Sequence, residues 1–159
     1  MYSKVAVGGT FYLLHRGHKT LLKKAFEVGE EVIIGIMKDA SAEKLDKDHP
    51  ISPCTERINE LGSFLFEEGL LERARIVVLN DPFGPTITDE TIKAIVVSEE
   101  TRPRVKEINK IRKRRGFKPL DFIVIDMVIC EDGEPLSTTR ILRGEVDREG
   151  LLIDKAESS

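Results

Sequence analysis

The stretch that decides the fold is residues 8–18, GGTFYLLHRGH, which joins an apolar run at 5–7, VAV, to a long amphipathic segment. The apolar run predicts a strand and the amphipathic segment a helix, so the glycines and histidines lie at a strand-to-helix junction. Glycine lets a backbone approach a ligand closely, and a helix beginning near Gly17 would point unpaired N–H groups and its positive dipole end at that ligand. His15 and His18 lie on one face of such a helix. The junction therefore predicts a site for a polyphosphate.

Two other interpretations of this junction are a tight turn with incidental histidines and a transition-metal site. The glycine pair, Thr10, the HxGH spacing and the helix start coincide, which disfavours an incidental turn. The remaining candidate ligands are His49, Cys54 and Cys130, and they complete no familiar metal-binding spacing. The sequence therefore predicts no protein-bound metal.

The composition is that of one ordinary globular domain. With 159 residues, 40% of them hydrophobic and 33% charged, the chain suits a single core. We predict a domain over residues 1–150 followed by a tail at 151–159. The stretch after Gly144 is polar enough to predict fraying or loose packing.

The charge and the cysteine content argue against several partners. The formal charge of −3 and the isoelectric point near 5.7 give no general attraction to nucleic acid or to an anionic membrane. No apolar run approaches the ~18 residues of a membrane span. Two cysteines are too few for a disulfide framework, and free thiols fit a reducing compartment. We therefore expect a cytoplasmic protein that binds neither nucleic acid nor membrane, with homo-oligomerisation left open.

Short β-branched runs alternate with helical patterns along most of the chain. Strands are predicted at 5–8, 31–37, 75–79, 92–97 and 122–129. Helices are predicted over 18–29, after the serine and proline at 52–53 with Phe66 among the inward residues, over 105–115, and from Ser137 to about Gly144. This alternation with short links is typical of an α/β fold. We predict a single-domain, Rossmann-like, doubly wound parallel sheet of about five strands with helices on both faces.

Polar residues follow four of these strands where each one ends. Gly9 and Thr10 follow the first, Lys38 and Asp39 the second, SEET at 98–101 the fourth, and STTR at 137–140 the fifth. The carboxyl ends of parallel strands meet at one sheet edge, where ligands gather. The sequence has no Walker-type G-x-x-x-x-G-K, no G-x-G-x-x-G and no activated nucleophile. Cationic and hydroxyl groups around a phosphate pocket suit direct phosphoryl or nucleotidyl transfer.

Residues 8–11, GGTF, with HxGH at 15–18 resemble the HxGH nucleotidyltransferases. Within that superfamily the chain is most similar to the archaeal type of phosphopantetheine adenylyltransferases, through IVVSEET at 95–101, PL at 119–120, GEPLSTTRI at 133–141 and RGEVD at 143–147. The resemblance runs from about residue 4 to residue 150. It implies transfer of the adenylyl group of ATP to 4′-phosphopantetheine by direct in-line attack, giving dephospho-coenzyme A and pyrophosphate. It also implies Mg²⁺, bound mainly through the ATP phosphates.

The resemblance assigns catalytic roles to residues at the predicted sheet edge. His15 and His18 would stabilise negative charge on the phosphates as the transition state forms. Thr10 would hold the attacking phosphate or the α-phosphate through its hydroxyl and backbone N–H. The family has a lysine after the second strand, for which Lys44 fits the spacing best and Lys38 is the competitor.

By the same resemblance, the nucleotide is held by the last motif and by the ends of the first and fourth strands. Ser137, Thr138 and Thr139 would grip the β- and γ-phosphates, with Arg140 as a bidentate partner. The other implied nucleotide-binding residues are Gly8, Gly9, Thr10, Phe11, His18, Ser98 and Glu99. For Ser137 the alternative role is an N-cap alone, and for Glu99 it is support of the following helix.

Two positions depart from the family pattern and motivate the functional alternatives. Tyr12 stands where the family usually carries aspartate, and Leu142 stands where it tends to carry a second arginine. The alternatives are an adenylyl- or cytidylyltransferase for another phosphate acceptor, such as FMN or glycerol phosphate, and a non-catalytic nucleotide-binding relative. The basic run at 110–115, KIRKRR, could bind nucleic acid, but we predict an exposed helix end instead.

Overall fold

The computed structural model describes residues 1–38 and 54–153, and within them the chain forms one five-stranded sheet. The strands are β1 (Tyr2–Gly9), β2 (Gly29–Met37), β3 (Ala74–Leu79), β4 (Ala94–Ser98) and β5 (Asp121–Ile125). Their order across the sheet is β3-β2-β1-β4-β5, and every neighbouring pair is parallel. The predicted α/β fold with a five-stranded parallel sheet is confirmed.

Helices cover both faces of the sheet, as predicted. They are α1 (Arg16–Val28), α2 (Cys54–Glu67), α3 (Arg102–Arg114) and α4 (Thr138–Leu142), with short 3₁₀ helices at Leu71–Arg73 and Gly84–Ile87. One face buries Val5 and Ile34 against Leu22 of α1 and Leu61 of α2. The other face packs β-strand residues against Ile108 of α3. Residues 32–37 of β2 are all buried, as expected of a central parallel strand with both faces covered.

The strand order reverses between β1 and β4. From β1 the chain builds outward through β2 to β3, then crosses back to β4 and builds outward to β5. The two strands at the reversal diverge at their carboxyl ends, and this crevice is where open parallel sheets bind ligands. The residues that follow β1, beginning with Thr10, lie at this crevice.

The fifth strand ends earlier than predicted. β5 stops at Ile125, whereas the sequence pattern extends to residue 129. Beyond it the chain pairs with its own returning segment: Val128 accepts the N–H of Leu136, and Cys130 donates to Glu134. Local hydrogen bonds therefore replace the sheet ladder over residues that are apolar enough to continue a strand.

The prediction of loose packing after Gly144 is wrong for residues 145–153. Val146 is completely buried, in a small cluster with Cys130 and Leu136, and it forms an antiparallel bridge with Leu152. Asp147 also accepts N–H bonds that close this turn. The polar side chain of Asp147 thus bonds the segment's own backbone. Residues 154–159 of the predicted tail at 151–159 lie outside the described residues.

Two further details of the helices differ from the sequence pattern. Phe66, expected to face inward, is 73% exposed at the end of α2. Gly29 ends α1 as predicted, but its φ of −125° is extended, so no left-handed turn requires glycine there. A Cβ at this position would lie 2.5 Å from a Val5 methyl, so glycine is required by the close packing of α1 and β2 on β1.

Candidate active site

The two histidines of the HxGH stretch form the N-terminal cap of α1. His15 is the N-cap residue, and its Nδ1 accepts the N–H groups of Gly17 (3.0 Å) and His18 (3.4 Å). In return, the N–H of His15 donates to Nδ1 of His18 at 3.2 Å. This is a capping box built from two imidazoles in place of the usual Ser/Thr and Glu/Gln pair. The rings stack, with centroids 3.8 Å apart and planes 17° apart.

The first turn of α1 therefore does not present unpaired N–H groups, and that prediction is wrong. The N–H groups of Gly17 and His18 are taken by the His15 ring, and the N–H of Arg16 donates to the carbonyl of Arg148 at 2.8 Å. The imidazoles lie between the helix end and the pocket. The positive partial charge at the N-terminus of α1 therefore acts on a ligand together with the hydrogen bonds that these two rings can make.

The cap also fixes the protonation of both rings. An Nδ1 that accepts an N–H bond carries no proton, so each neutral imidazole has its proton on Nε2. Burial lowers the pKa of His15 to about 4, helped by the positive charge of Arg148. Burial lowers the pKa of His18 to about 3, helped by the neighbouring His15. At neutral pH both histidines are uncharged hydrogen-bond donors through Nε2.

Gly17 is required by the His15 ring. A Cβ at this position would lie 2.8 Å from Cε1 and 3.0 Å from Nδ1 of His15. The ring cannot swing aside without giving up its two N–H bonds. The glycine of the HxGH spacing therefore makes room for the imidazole of the first histidine.

The loop between β1 and α1 has an unusual backbone. Phe11 and Leu13 have positive φ values of 52° and 50°, a region that side chains other than glycine rarely adopt. Phe11 is buried against His18, with ring centroids 5.5 Å apart. The loop is tied at two carbonyls: Arg57 donates to Thr10 at 2.8 Å, and the Thr138 hydroxyl donates to Tyr12 at 3.2 Å. These contacts help hold a strained loop beside the histidines.

Two pockets flank the carboxyl end of β1. The first, which we call the imidazole pocket, brings together five predicted residues, namely His15, His18, Ser98, Ser137 and Thr138, with residues 125–128 after β5. The second, which we call the apolar pocket, lies on the other side and contains Gly8, Gly9, Val97 and Phe83 with one guanidinium, Arg104. Two pockets of different chemistry can hold two different substrates.

Comparisons with known proteins show the family to which the chain belongs. A family model described as cytidylyltransferase-like matches residues 6–144. The chain belongs to the cytidylyltransferase-like family. A phosphopantetheine adenylyltransferase from Methanothermobacter thermautotrophicus is 49% identical over 97% of this chain and 92% of its own length. One from Methanopyrus kandleri is 44% identical over 92% of each chain.

The relatives therefore place this member of the family among the phosphopantetheine adenylyltransferases, and the predicted identity as a nucleotidyltransferase is confirmed. A solved structure is also similar to this fold. The crystal structure of a protein of unknown function from Archaeoglobus fulgidus aligns with a TM-score of 0.70 and 30% identity, over 77% of this chain and 89% of that one.

Several residues implied by the family pattern lie outside the imidazole pocket or outside the described residues. Lys44 and Asp39 fall in the stretch 39–53, which the structure does not describe, and Lys38 is exposed at the end of β2. Glu99 is exposed and forms an ion pair with Arg102. Thr139 is half-buried in the first turn of α4. Ser137 caps α4 by accepting the N–H of Arg140 at 3.2 Å, so its alternative role as an N-cap is present.

Arg140, predicted to grip phosphates, is bonded within its own segment. Its guanidinium donates to Asp132 and to Glu145, and these bonds raise its pKa, that with Asp132 most. It also reaches the carbonyl of Pro135. These contacts tie α4 to the residues that precede and follow it, so Arg140 supports the turn that carries Ser137.

The two departures from the family pattern lie at the edge of this arrangement. Tyr12 is half-buried in the strained loop, with its carbonyl tied to α4 through Thr138. Leu142 is 40% exposed at the end of α4. Both capping histidines and their hydrogen bonds are intact despite these departures.

The basic run at 110–115 is only partly the exposed helix end that was predicted. Lys110, Lys113 and Arg114 are exposed, but Arg112 is 1% exposed. Its guanidinium donates to the carbonyls of Thr86, Asp89, Ile92 and Lys118, among others, so it holds together the loops at the amino end of β4 and the end of α3.

Sequence reasoning missed three contributors to the site. Arg57 and the carbonyl of Arg148 hold the loop and the first turn of α1, and Asp126 lines the imidazole pocket. One signal for Arg57 was available: it lies on the same helical face as Leu61 and Phe64, where a charged side chain must be buried. The role of Asp126 could not be recognised from the sequence, because residues 126–129 continue the strand pattern and Asp126 was counted as part of the strand.

Metal-binding clusters and membrane-spanning helices are both absent from the residues that the structure describes. Among residues 1–38 and 54–153, no group of three or more His, Cys, Asp and Glu side chains is placed to hold a metal ion. No helix in this part of the chain has the length and apolar character needed to cross a membrane.

Proposed function

We propose that the two neutral imidazoles stabilise the transition state as the acceptor phosphate of 4′-phosphopantetheine attacks the α-phosphorus of ATP. The products of this adenylyl transfer are dephospho-coenzyme A and pyrophosphate. The observation that carries the proposal is the double cap of α1, in which both Nδ1 atoms are occupied and both rings line one pocket. The two rings can donate hydrogen bonds to a phosphoryl group on which negative charge develops during the reaction.

The chemistry is a direct displacement that needs no protein nucleophile. An oxygen of the acceptor phosphate forms the new bond to the α-phosphorus, and the bond to the bridging oxygen of the β-phosphate breaks. The negative charge that develops around the α-phosphorus and on the departing pyrophosphate is met by Nε2–H donors of His15 and His18. Neutral donors suit this task because their protonation does not change between pH 6 and 8, where substrate phosphates also titrate.

The two pockets divide the substrates. ATP fits the imidazole pocket, where Ser98 closes one side and Ser137 and Thr138 at the start of α4 reach its β- and γ-phosphates. The pantetheine arm is a long chain whose amides are separated by methylene groups and a dimethyl-substituted carbon, and we assign it to the apolar pocket that Gly8 and Gly9 line. Thr10 directly follows the glycine pair at the end of β1 and would hold the phosphate that is transferred, with Lys44 as the proposed cationic partner.

Mg²⁺ fits this site as an ion carried by the nucleotide. Mg²⁺ prefers oxygen ligands, keeps several waters and is commonly bound through one carboxylate and substrate phosphates. The imidazole pocket offers the hydroxyls of Ser98 and Ser137 and the exposed carboxylate of Asp126. When bound, the ion would neutralise charge on the leaving pyrophosphate.

The proposal is tested with the purified protein, Mg²⁺, and ATP or CTP against 4′-phosphopantetheine, FMN and glycerol phosphate, measuring pyrophosphate release. We expect turnover with ATP and 4′-phosphopantetheine alone. Turnover with CTP or with another acceptor would contradict the substrate assignment. ATP binding without pyrophosphate release from any pair would contradict catalysis itself.

A further inference from the structure

We propose that Arg57 is a positioning residue that sets the catalytic geometry by joining the carboxyl ends of β1 and β2. Its guanidinium is 1% exposed and donates from Nη1 to the carbonyl of Thr10 at 2.8 Å and to the carbonyl of Met37 at 2.9 Å. Thr10 is the first residue after β1, and Met37 is the last residue of β2. One side chain of α2 therefore bonds the carboxyl ends of two neighbouring strands.

The hydrogen bond from Arg57 to the carbonyl of Thr10 matters because of its position in the loop between β1 and α1. The carbonyl of Thr10 belongs to the peptide that leads into Phe11, whose φ of 52° is costly for a residue with a side chain. Fixing that peptide fixes the direction of the Thr10 backbone and the approach of Phe11 to the His18 ring. The second bond ties the same guanidinium to the strand end that precedes Lys38. Loss of Arg57 would let the carboxyl ends of β1 and β2 shift relative to each other.

Burial of this charge is hard to explain by stability alone. Removing a guanidinium from water is expensive, and an apolar side chain of similar size in the same core would often serve folding equally well. Arg57 lies on the apolar face of α2, beside Leu61 and Phe64. Both bonds leave the same Nη1, whose two N–H groups are fixed in the guanidinium plane. The lysine side chain is one bond shorter and has no such plane, and methionine has no donor.

The chain contains its own control for this idea. Arg112 is also 1% exposed and also bonds backbone carbonyls, but those carbonyls lie at the amino end of β4 and after α3. Arg57 and Arg112 are thus matched in burial, and both bond backbone carbonyls. Arg57 bonds the loop that leads to the two histidines, whereas Arg112 reaches only Thr86 at the edge of the apolar pocket and bonds no residue of that loop. Equal substitutions at the two positions separate a contribution to catalysis from a contribution to stability.

The experiment compares Arg57→Lys and Arg57→Met with Arg112→Lys and Arg112→Met. It measures the unfolding midpoint, the fraction that binds ATP, and kcat and KM for both substrates corrected to that fraction. We expect all four variants to lose stability. Only the Arg57 variants should lose kcat, by about 10²-fold, because a misplacement of about 1 Å in an active site has that effect. The ATP KM should change far less than kcat.

A second measurement is independent of turnover. In ¹⁵N-labelled protein the amide signal of Phe11 should shift in Arg57→Lys and stay in place in Arg112→Lys. Arg57→Lys keeps the charge, so it carries the test where Arg57→Met does not fold. Arg57→Lys with full kcat and an unmoved Phe11 amide would overturn the inference. This inference rests on the proposed function. If the unsubstituted protein released no pyrophosphate, the proposed function would be contradicted. The shift of the Phe11 amide signal would still test the role of Arg57 in that case.

Discussion

The rings of His15 and His18 stack 3.8 Å apart, while Nδ1 of His15 accepts N–H groups of the first turn of α1 and Nδ1 of His18 accepts the N–H of the N-cap residue, His15. This relationship makes the histidines both a helix cap and a pair of hydrogen-bond donors. The two roles use different ring nitrogens, Nδ1 for the cap and Nε2 for the ligand. They can therefore be separated by substitution.

The first prediction separates capping from catalysis at His15. Asparagine is a good N-cap and can accept the same N–H groups, but it has no group at the position of Nε2. We expect His15→Asn to keep the unfolding free energy within experimental error of the parent and to lose about 10²–10³-fold in kcat. His15→Ala should lose the same activity and, in addition, about 1 kcal/mol of stability. Thermal or urea unfolding together with pyrophosphate release measures both; equal stability of the two variants would argue against the cap.

The second prediction concerns His18, which lines the same pocket and has its Nδ1 occupied by the cap. His18→Ala should lower kcat by about 10²–10³-fold, because one donor to the developing charge is removed. The affinity for ATP should fall much less, since the donor acts more strongly on the transition state than on the ground state. Isothermal titration with ATP, beside single-turnover kinetics, distinguishes the two effects. Equal losses in binding and in kcat/KM would assign His18 to nucleotide binding alone.

The third prediction follows from the lowered pKa values of both histidines, about 4 for His15 and about 3 for His18. An unfolded histidine has a pKa near 6.5 and binds a proton at a higher pH than the folded one does. The contribution of the two histidines to the free energy of unfolding is therefore fully present above pH 6.5. It is lost as the pH falls from 6.5 toward 4 and 3, because the unfolded state binds these protons first.

Histidine ¹⁵N chemical shifts and unfolding at several pH values test this. The shifts should show neutral rings with the proton on Nε2 from pH 8 down to about pH 5. The double variant His15→Asn/His18→Asn should lose less stability between pH 6.5 and 4 than the parent, with carboxylate titration common to both. A ring that protonates near pH 6.5 in the folded protein would refute the assignment.

The fourth prediction uses two helical glycines. Gly17→Ala places a methyl 2.8 Å from Cε1 of His15, so the ring must move and kcat should fall by about 10²-fold. Gly62→Ala in α2 is the matched control, because no described atom lies within 4 Å of a Cβ built there. It should stabilise the protein by about 0.5–1 kcal/mol through helix propensity and leave kcat unchanged. Full activity of Gly17→Ala would show that the ring tolerates displacement.

The fifth prediction tests the apolar pocket as the acceptor site. Arg104 is the guanidinium in that pocket, so Arg104→Ala should raise the KM for 4′-phosphopantetheine by about tenfold, the effect of losing one charge-assisted hydrogen bond. The KM for ATP should stay near the parent value. Arg102→Ala, two residues away, is the control: Arg102 is exposed and pairs with Glu99. A rise in the KM for ATP alone would reverse the assignment of the two pockets.

The sequence predicted the architecture well because burial in a parallel sheet requires apolar residues in a recognisable pattern. Strands covered on both faces, such as residues 32–37, are continuous apolar runs, and the helices between them repeat their apolar residues every three or four positions. The GGTF and HxGH stretches marked the junction after β1, since few other structures need glycines and histidines at that spacing. In the structure His15, His18 and Ser137 line one pocket, and their roles toward a substrate stay a prediction.

What the sequence by itself determined is the order of elements, their faces and the chemical groups at the sheet edge, because these follow from local periodicity and residue type. Only the tertiary structure decided which hydrogen bonds those groups make. The N–H groups of α1 are taken by imidazoles and by Arg148, and Arg57 joins two strand ends from a helix 47 residues away from Thr10. A partner so distant along the chain leaves no periodic trace, since its selection depends on three-dimensional proximity and on the need to satisfy every buried polar group.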